Sequence, residues 1–370
     1  MLLIARRNLF SERIRLSIAI GGVALSVFLI MFLLSLYRGW SDKVGAFVEE
    51  VDVDIWIARE GTADFLSSAS FLPTGGVDEN FAVLPSIERW SPLVVRPMSA
   101  KKGETEMDVT LVGYDPDLGI GGPLRIEAGD PAPGPGEVII DKVLTDRYGV
   151  QIGDMIRAAG KDWRVVGQAS GGDFVAAQII FVRLEEAQEA LSMEGFATYF
   201  VLQMVPTADL DEFVTYFEGV QPGITAITRE DFAEATRNRI LDDVVPVLLA
   251  IVVLAFIVGL AVAGLTIYTA TVEKLREYGI LKAVGFKNTY LYRLVMEQSL
   301  VTGLLGFLAG MVLTLALSPV ARDLVPQFVV LIRWQDIAVV GASTVLMSVI
   351  AGYVPVRRLA TIDPTSVFRA

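Results

Sequence analysis

The chain opens with about 17 mixed residues and then runs through 20 apolar ones. A long mixed segment follows, and three more apolar runs complete the pattern. The apolar runs cover residues 18–37, 244–272, 298–321 and 337–356, and none contains Asp, Glu, Lys or Arg. A helix needs about 20 apolar residues to cross a hydrocarbon core, so each run is a candidate membrane span. The first run is longer than the apolar region of a cleaved leader. LLSLYRGW after it lacks a small-x-small cleavage pattern, so it reads as an uncleaved span.

The segment between the first and second runs has a different rhythm. VDVDIWI (51–57) alternates apolar and polar, as a half-buried strand does. Further strands are predicted at 108–114, 137–141, 163–169, 178–182, 199–205 and 224–228, with short helices at 184–192 and 209–219. GDPAPGPGE (129–137) reads as a turn-rich connection. The expectation is a membrane protein: four transmembrane α-helices, with a large α+β extracytoplasmic domain between spans 1 and 2 on helical stalks. The second stalk would be part of one helix from about Glu230 to Lys274, with a possible bend at Pro246.

Charge assigns the sides. Residues 1–17, 273–293 and 357–370 together hold 12 Lys/Arg, which the positive-inside rule places in the cytoplasm with both termini. Residues 38–243 hold 17 Lys/Arg against 36 Asp/Glu, so this domain is acidic and is expected outside. Such a charge excludes a nucleic-acid binder. The full division expected is an N-terminal interfacial helix at 1–17, span 1 and stalk at 18–48, and the outer domain at 49–228. The second stalk and span 2 follow at 229–272, then a cytoplasmic helix at 273–293, span 3 at 294–321, a short outer loop at 322–336, span 4 at 337–356 and a tail at 357–370. Positive flanking charge alone would equally account for the N-terminal pattern.

The chain contains no Cys and no His. This removes disulfides, thiolate and imidazole metal ligands and His-based acid–base chemistry. No G-x-x-x-x-G-K-[ST] loop is present, so the chain is not expected to bind ATP. The expectation is a non-catalytic protein without a cofactor or metal of its own.

Two patterns remain. GFLAG (306–310) is a small-xxx-small motif, and Gly303 lies one turn earlier, so Gly303, Gly306 and Gly310 are candidate helix-packing positions within the chain or between two copies. VEKLREYGILKAVGF (272–286) is a charged helical pattern between two spans. Leu275, Tyr278, Leu281 and Gly285 fall near one face of it. An exposed apolar stripe there would dock a partner or lie on lipid, and periodicity leaves both open.

The stretch GLTIYTATVEKLREYGILKAVGFKNTYLYRLVMEQSL (264–300) resembles the ABC transporter permeases of the macrolide-exporter superfamily, which includes MacB-like exporters, lipoprotein-release permeases and FtsX. PVRRLATIDPTSVFRA (355–370) and ARRNLFSERIRLSI resemble the family's two ends. Within the family the first stretch looks most like the DevC-like and HrtB-like (heme exporter) branch.

The resemblance implies a homodimer in the bacterial cytoplasmic membrane, worked by two copies of a separate ATPase subunit that carry ATP and Mg. It implies that the loop between spans 2 and 3 docks on that ATPase. Glu273, Arg276, Glu277, Tyr278, Gly279, Leu281, Lys282, Ala283 and Gly285 would be the coupling residues. Mechanotransmission would then export a hydrophobic or amphipathic cargo such as heme, glycolipid or drug. Tyr37, Trp40 and Glu234 at the stalk bases are the cargo candidates. The alternative is an FtsX-like regulator of an extracytoplasmic protein such as a cell-wall hydrolase. Such a protein or an adaptor would be captured by an apolar patch, for which FLSSASFLPTGG (65–76) is the candidate.

Overall fold

A computed structural model describes residues 13–360 except 63, 67–69, 76–80, 82, 172–177 and 325–330. It separates into two compact units: Trp40–Asp243, and the remainder of the chain on either side of that segment.

The second unit holds four helices long and apolar enough to cross a membrane: α1 (Arg13–Lys43), α6 (Arg229–Glu273), α8 (Asn288–Leu324) and α9 (Trp334–Ala360). The helix α6 is one element of 45 residues and continues through Pro246. The 1–17 expectation falls mostly outside the described residues, and helix is present from Arg13. Several boundaries differ from expectation. Span 3 belongs to a helix that starts at Asn288 and runs to Leu324, while span 4 begins at Trp334. Backbone hydrogen bonding therefore carries these helices past the uncharged windows, because helix formation does not require apolar residues.

Many outward side chains in this unit are large and apolar. Leu249, Leu254, Leu265, Leu304 and Val312 are more than half exposed, as lipid-facing positions are. Inside, Val23, Val27, Met31, Ala263, Leu291, Val295, Val340 and Met347 form a single buried cluster.

Small residues set the spacing. A Cβ on Gly306 would lie 2.6 Å from Val23, and one on Gly310 would lie 2.7 Å from the Ala24 carbonyl oxygen, so this pair of glycines packs on α1. One on Gly303 would lie 1.9 Å from the Ser348 hydroxyl on α9. All three motif glycines thus have a neighbour within their own chain. Gly310→Ala is expected to lower the thermal midpoint in detergent, with a cost of about 1–3 kcal/mol from overpacking, despite alanine's better helix propensity. Gly21→Ala, with nothing within 4 Å of its added carbon, should leave the midpoint unchanged or raise it.

The first unit is α+β. Its ten-stranded sheet runs β12-β1-β11-β3-β4-β9-β6-β8-β5, and β7 (Met155–Ala158) pairs with both β3 and β8. Here β1 is Ile55–Arg59, β3 is Ile87–Lys102, β4 is Thr105–Tyr114 and β5 is Arg125–Gly129. The others are β6 (Glu137–Asp141), β8 (Lys161–Ser170), β9 (Gln178–Arg183), β11 (Tyr199–Met204) and β12 (Ile224–Thr228).

The 16-residue β3 has no counterpart among the expected strands, because Pro92 and Pro97 demote it. Both prolines sit where β3 has one neighbour only. Pro92 faces Phe200 of β11, and Pro97 faces Thr110 of β4, so no second ladder loses a bond. The 51–57 strand begins at Ile55 instead of Val51, and its residues 55–58 are buried on both faces. An aromatic nucleus of Trp56, Phe65, Tyr199 and Phe232 joins the sheet to the start of α6. Tyr199 is fully buried, and its hydroxyl donates within 3.0 Å of the Asp64 and Phe65 carbonyl oxygens.

Candidate functional site

The segment that joins the second and third spanning helices folds as a short helix of its own, α7 (Leu275–Ala283). Lys274 interrupts the preceding helix, with φ −91° and ψ 9°. The far end is closed by a Schellman motif. Phe286 donates its N–H to the Leu281 carbonyl and Gly285 donates to that of Lys282, each at 3.0 Å. Gly285 has φ +100°, which a side chain would strain, so its role in this fold is to end the helix. The expected helix over 273–293 is therefore α7, a tight turn, and the first turns of α8.

The face of α7 differs from expectation. The stripe of Leu275, Tyr278 and Leu281 is turned inward instead of standing free. Tyr278 is 2% exposed and belongs to the cluster of Leu291, Leu294 and Val295, with Leu275 and Leu281 packed against that cluster. Gly279 is buried beside it. Burial, helped by the neighbouring Glu277 carboxylate, pushes the Tyr278 hydroxyl up to about 12, so the ring is a neutral packing element at any physiological pH.

The free face carries Arg276, Glu277, Ile280, Ala283 and Val284, with Phe286 just beyond. Ile280 is 47% exposed, Val284 73% and Phe286 42%. Three apolar side chains flanked by Arg276 and Glu277 make a compact surface of the kind that docks a protein. Lys282 is half-buried. The sequence stripe picked the inner face because periodicity marks which positions are apolar together, not which way they turn. Ile280 and Val284, at i and i+4, are the signal that would have found the outer face.

Glu273 is engaged elsewhere. Its carboxylate receives both terminal nitrogens of Arg15, at 2.6 and 2.8 Å, in a bidentate pair 258 positions apart in sequence. The pair ties the start of α1 to the last residue of α6. Exposed pairs contribute little stability, so Arg15→Ala should barely move the thermal midpoint. Melting curves of Arg15→Ala and of the unchanged chain, measured side by side, check this.

A second feature lies among the spanning helices. An apolar cavity of about 400 Å3 is lined by Ile30, Leu33, Leu34 and Tyr37 of α1, by Val245, Leu248, Leu249, Val252, Val253 and Phe256 of α6, and by Val339 and Ser343 of α9. Leu249, Val253 and Val339 are each about half exposed, so the cavity opens sideways where lipid tails would lie. Tyr37 is on its wall. Trp40 and Glu234 belong to the other unit and are not among its lining residues. Among the described residues no group of three or more Asp or Glu is placed to hold a metal ion.

In the first unit, the candidate patch at 65–76 is mixed: among its described residues Phe65, Ser70 and Leu72 are buried, while Phe71, Pro73 and Gly75 are exposed. Phe65 and Leu72 are buried, and Phe71 is 40% exposed beneath the Arg96 guanidinium, 5.4 Å from its ring centre. Residues 67–69 and 76 lie outside the described residues.

Four spanning helices with an α+β domain inserted after the first define a multi-pass membrane permease, and the family comparisons agree. Residues 16–220 match the MacB-like periplasmic core domain, and residues 249–364 match the FtsX-like permease C-terminal domain. The first match alone spans more than half of the chain, so the chain belongs to the MacB/FtsX-type ABC transporter permeases.

An uncharacterized ABC transporter permease of Mycobacterium tuberculosis (strain ATCC 25618 / H37Rv) is 27% identical over 371 residues, covering 100% of this chain and 99% of the relative. The macrolide export ATP-binding/permease protein MacB of Agrobacterium fabrum is 28% identical over 116 residues, 31% of this chain and 18% of that protein. The periplasmic region of MacB from Actinobacillus actinomycetemcomitans aligns with 52% of this chain and 96% of its own, at 9% identity and a TM-score of 0.40.

Proposed function

We propose that this chain is the permease subunit of an ABC exporter, worked by a separate ATPase that docks on the outward face of α7. The chain carries no phosphate-binding loop of its own, so the ATP and Mg would sit on the partner. Two copies would pair with two ATPases, with both termini and α7 on the cytoplasmic side, where 12 Lys/Arg fall in short segments. The observation that carries the reading is the exposed surface of Ile280, Val284 and Phe286 flanked by Arg276 and Glu277, fixed by the buried Tyr278 and the Gly285 turn.

The cargo is hydrophobic or amphipathic. The support is the 400 Å3 cavity, open toward lipid and walled by aliphatic and aromatic side chains with only Tyr37 and Ser343 supplying hydroxyls. Heme and lipid-like molecules both fit that description, and motion passed from the ATPase through the spans would move them outward. The regulator reading is weakened, because its candidate patch places Phe65 and Leu72 in the domain core. The test is retention of the ATPase by the purified chain. Stable co-purification with stimulated ATP turnover supports the reading, and a chain isolated without any ATPase from cells that express one counts against it.

A further inference from the structure

One buried carboxylate stands one helical turn from the wall of this cavity. Asp336, in the first turn of α9, is 2% exposed. It accepts from Nε of Arg38 on α1 at 3.4 Å and from the backbone N–H of Arg333 at 3.3 Å. Beside it, the Leu331 N–H donates to the Ser35 carbonyl of α1 at 3.3 Å, which binds the chain before α9 to the same helix. A carboxylate buried at the rim of a membrane domain is costly to hold, and such groups mark functional positions when paired.

The position of the pair relates it to the cavity. Asp336, Val339 and Ser343 follow one face of α9 at spacings of three and four, and the last two line the cavity. Leu34 and Arg38 are likewise one turn apart on α1. At 1.5 Å per residue, Asp336 lies about 5 Å from Val339 along α9, and Arg38 directly follows the lining residue Tyr37 on α1. The cavity side walls are apolar and open to lipid, and the charged pair stands within one helical turn of them.

The two ends of α1 are also held differently. Arg15 grips Glu273 with two short bonds, whereas Arg38 reaches Asp336 through one long one. A two-pronged charge pair resists displacement more than a single long contact does.

We propose that the Arg38–Asp336 pair is a releasable cap over the aqueous mouth of the lipid-facing cavity between spans 1, 2 and 4. Its opening exposes the cavity to water while the Arg15 end stays fixed. The side on which that mouth lies, and the force that opens it, rest on the exporter reading above. The cap itself does not.

The chain has no cysteine, so Ser343→Cys places a single thiol on the cavity wall. In nanodiscs, and with no ATPase present, a membrane-impermeant maleimide should modify that thiol slowly. Arg38→Ala or Asp336→Asn in the same background should speed modification by about tenfold, the factor expected from losing a charge-assisted contact. The exchange Arg38→Asp with Asp336→Arg should slow it again, which a merely unfolded variant would not do. Equal rates in all four proteins overturn the cap.

A second measurement uses Arg38→Cys with Asp336→Cys, bridged by a cleavable bifunctional thiol reagent, in complex with the ATPase. ATP turnover stimulated by an added amphipathic lipid should be lost on bridging and return on cleavage. Turnover that is the same bridged and cleaved also overturns the proposal. Failure of any ATPase to bind would count against the exporter reading alone, since the labelling rates are read without it.

Discussion

A chain carrying Glu277→Lys together with Ile280→Asp is expected to lose its ATPase on purification. Both side chains lie on the outward face of α7, one charged and one 47% exposed. Anchor positions of a protein interface commonly cost 2 kcal/mol or more each, so the affinity of this double variant should fall by about 500-fold or more. The thermal midpoint of the chain alone should hardly change, because neither side chain is buried.

Tyr278 should behave in the opposite manner. Tyr278→Ala removes a ring that is 2% exposed and should cost about 3–5 kcal/mol of stability, whereas Tyr278→Phe keeps the packing. Quantitative pull-down of the ATPase, with melting curves in parallel, separates the docking face from the packing face. Normal ATPase retention by the Glu277 and Ile280 double variant would remove the docking assignment.

The second large effect is expected from plugging the cavity. Val252 is on its α6 wall, and Val339 and Ser343 of α9 line the same cavity. Val252→Trp should occupy the space that an amphipathic molecule would use. Stimulation of ATP turnover by such a molecule should fall by about tenfold or more, as when a fitted apolar pocket is sterically closed. Binding of the ATPase should persist, since α7 is untouched. Stimulation that survives the plug would place the cargo elsewhere.

Much of the fold was legible because membrane spans impose a simple rule. Four runs without a single charged residue each lie inside a spanning helix of the structure. Strands such as Glu137–Asp141 and Ile224–Thr228 were legible too, with apolar β-branched runs bounded by turn residues. What was hidden depended on pairing at a distance. The long β3 reads as a loop until its neighbours are known, since Pro92 and Pro97 are harmless only where one side of the strand is unpaired. Arg15–Glu273 and Arg38–Asp336 join residues 258 and 298 positions apart, and no local pattern announces either pair.

The segment between the second and third spanning helices was legible in place and helicity but not in orientation. Leu275, Tyr278 and Leu281 share a face under either reading, and only the surrounding helices determine that the face turns inward. The φ of +100° at Gly285, which ends the helix, is a backbone feature that the apolar pattern does not announce.

The most direct measurement is ATP hydrolysis by this chain co-purified with its cognate ATPase in nanodiscs, with and without hemin and a panel of amphipathic lipids and drugs. The account expects no hydrolysis by the chain alone, hydrolysis by the complex, and selective stimulation by one class of compound that disappears with Val252→Trp. Hydrolysis by the chain alone would contradict it. So would a complex whose turnover is identical across the whole panel and is unmoved by Glu277→Lys with Ile280→Asp.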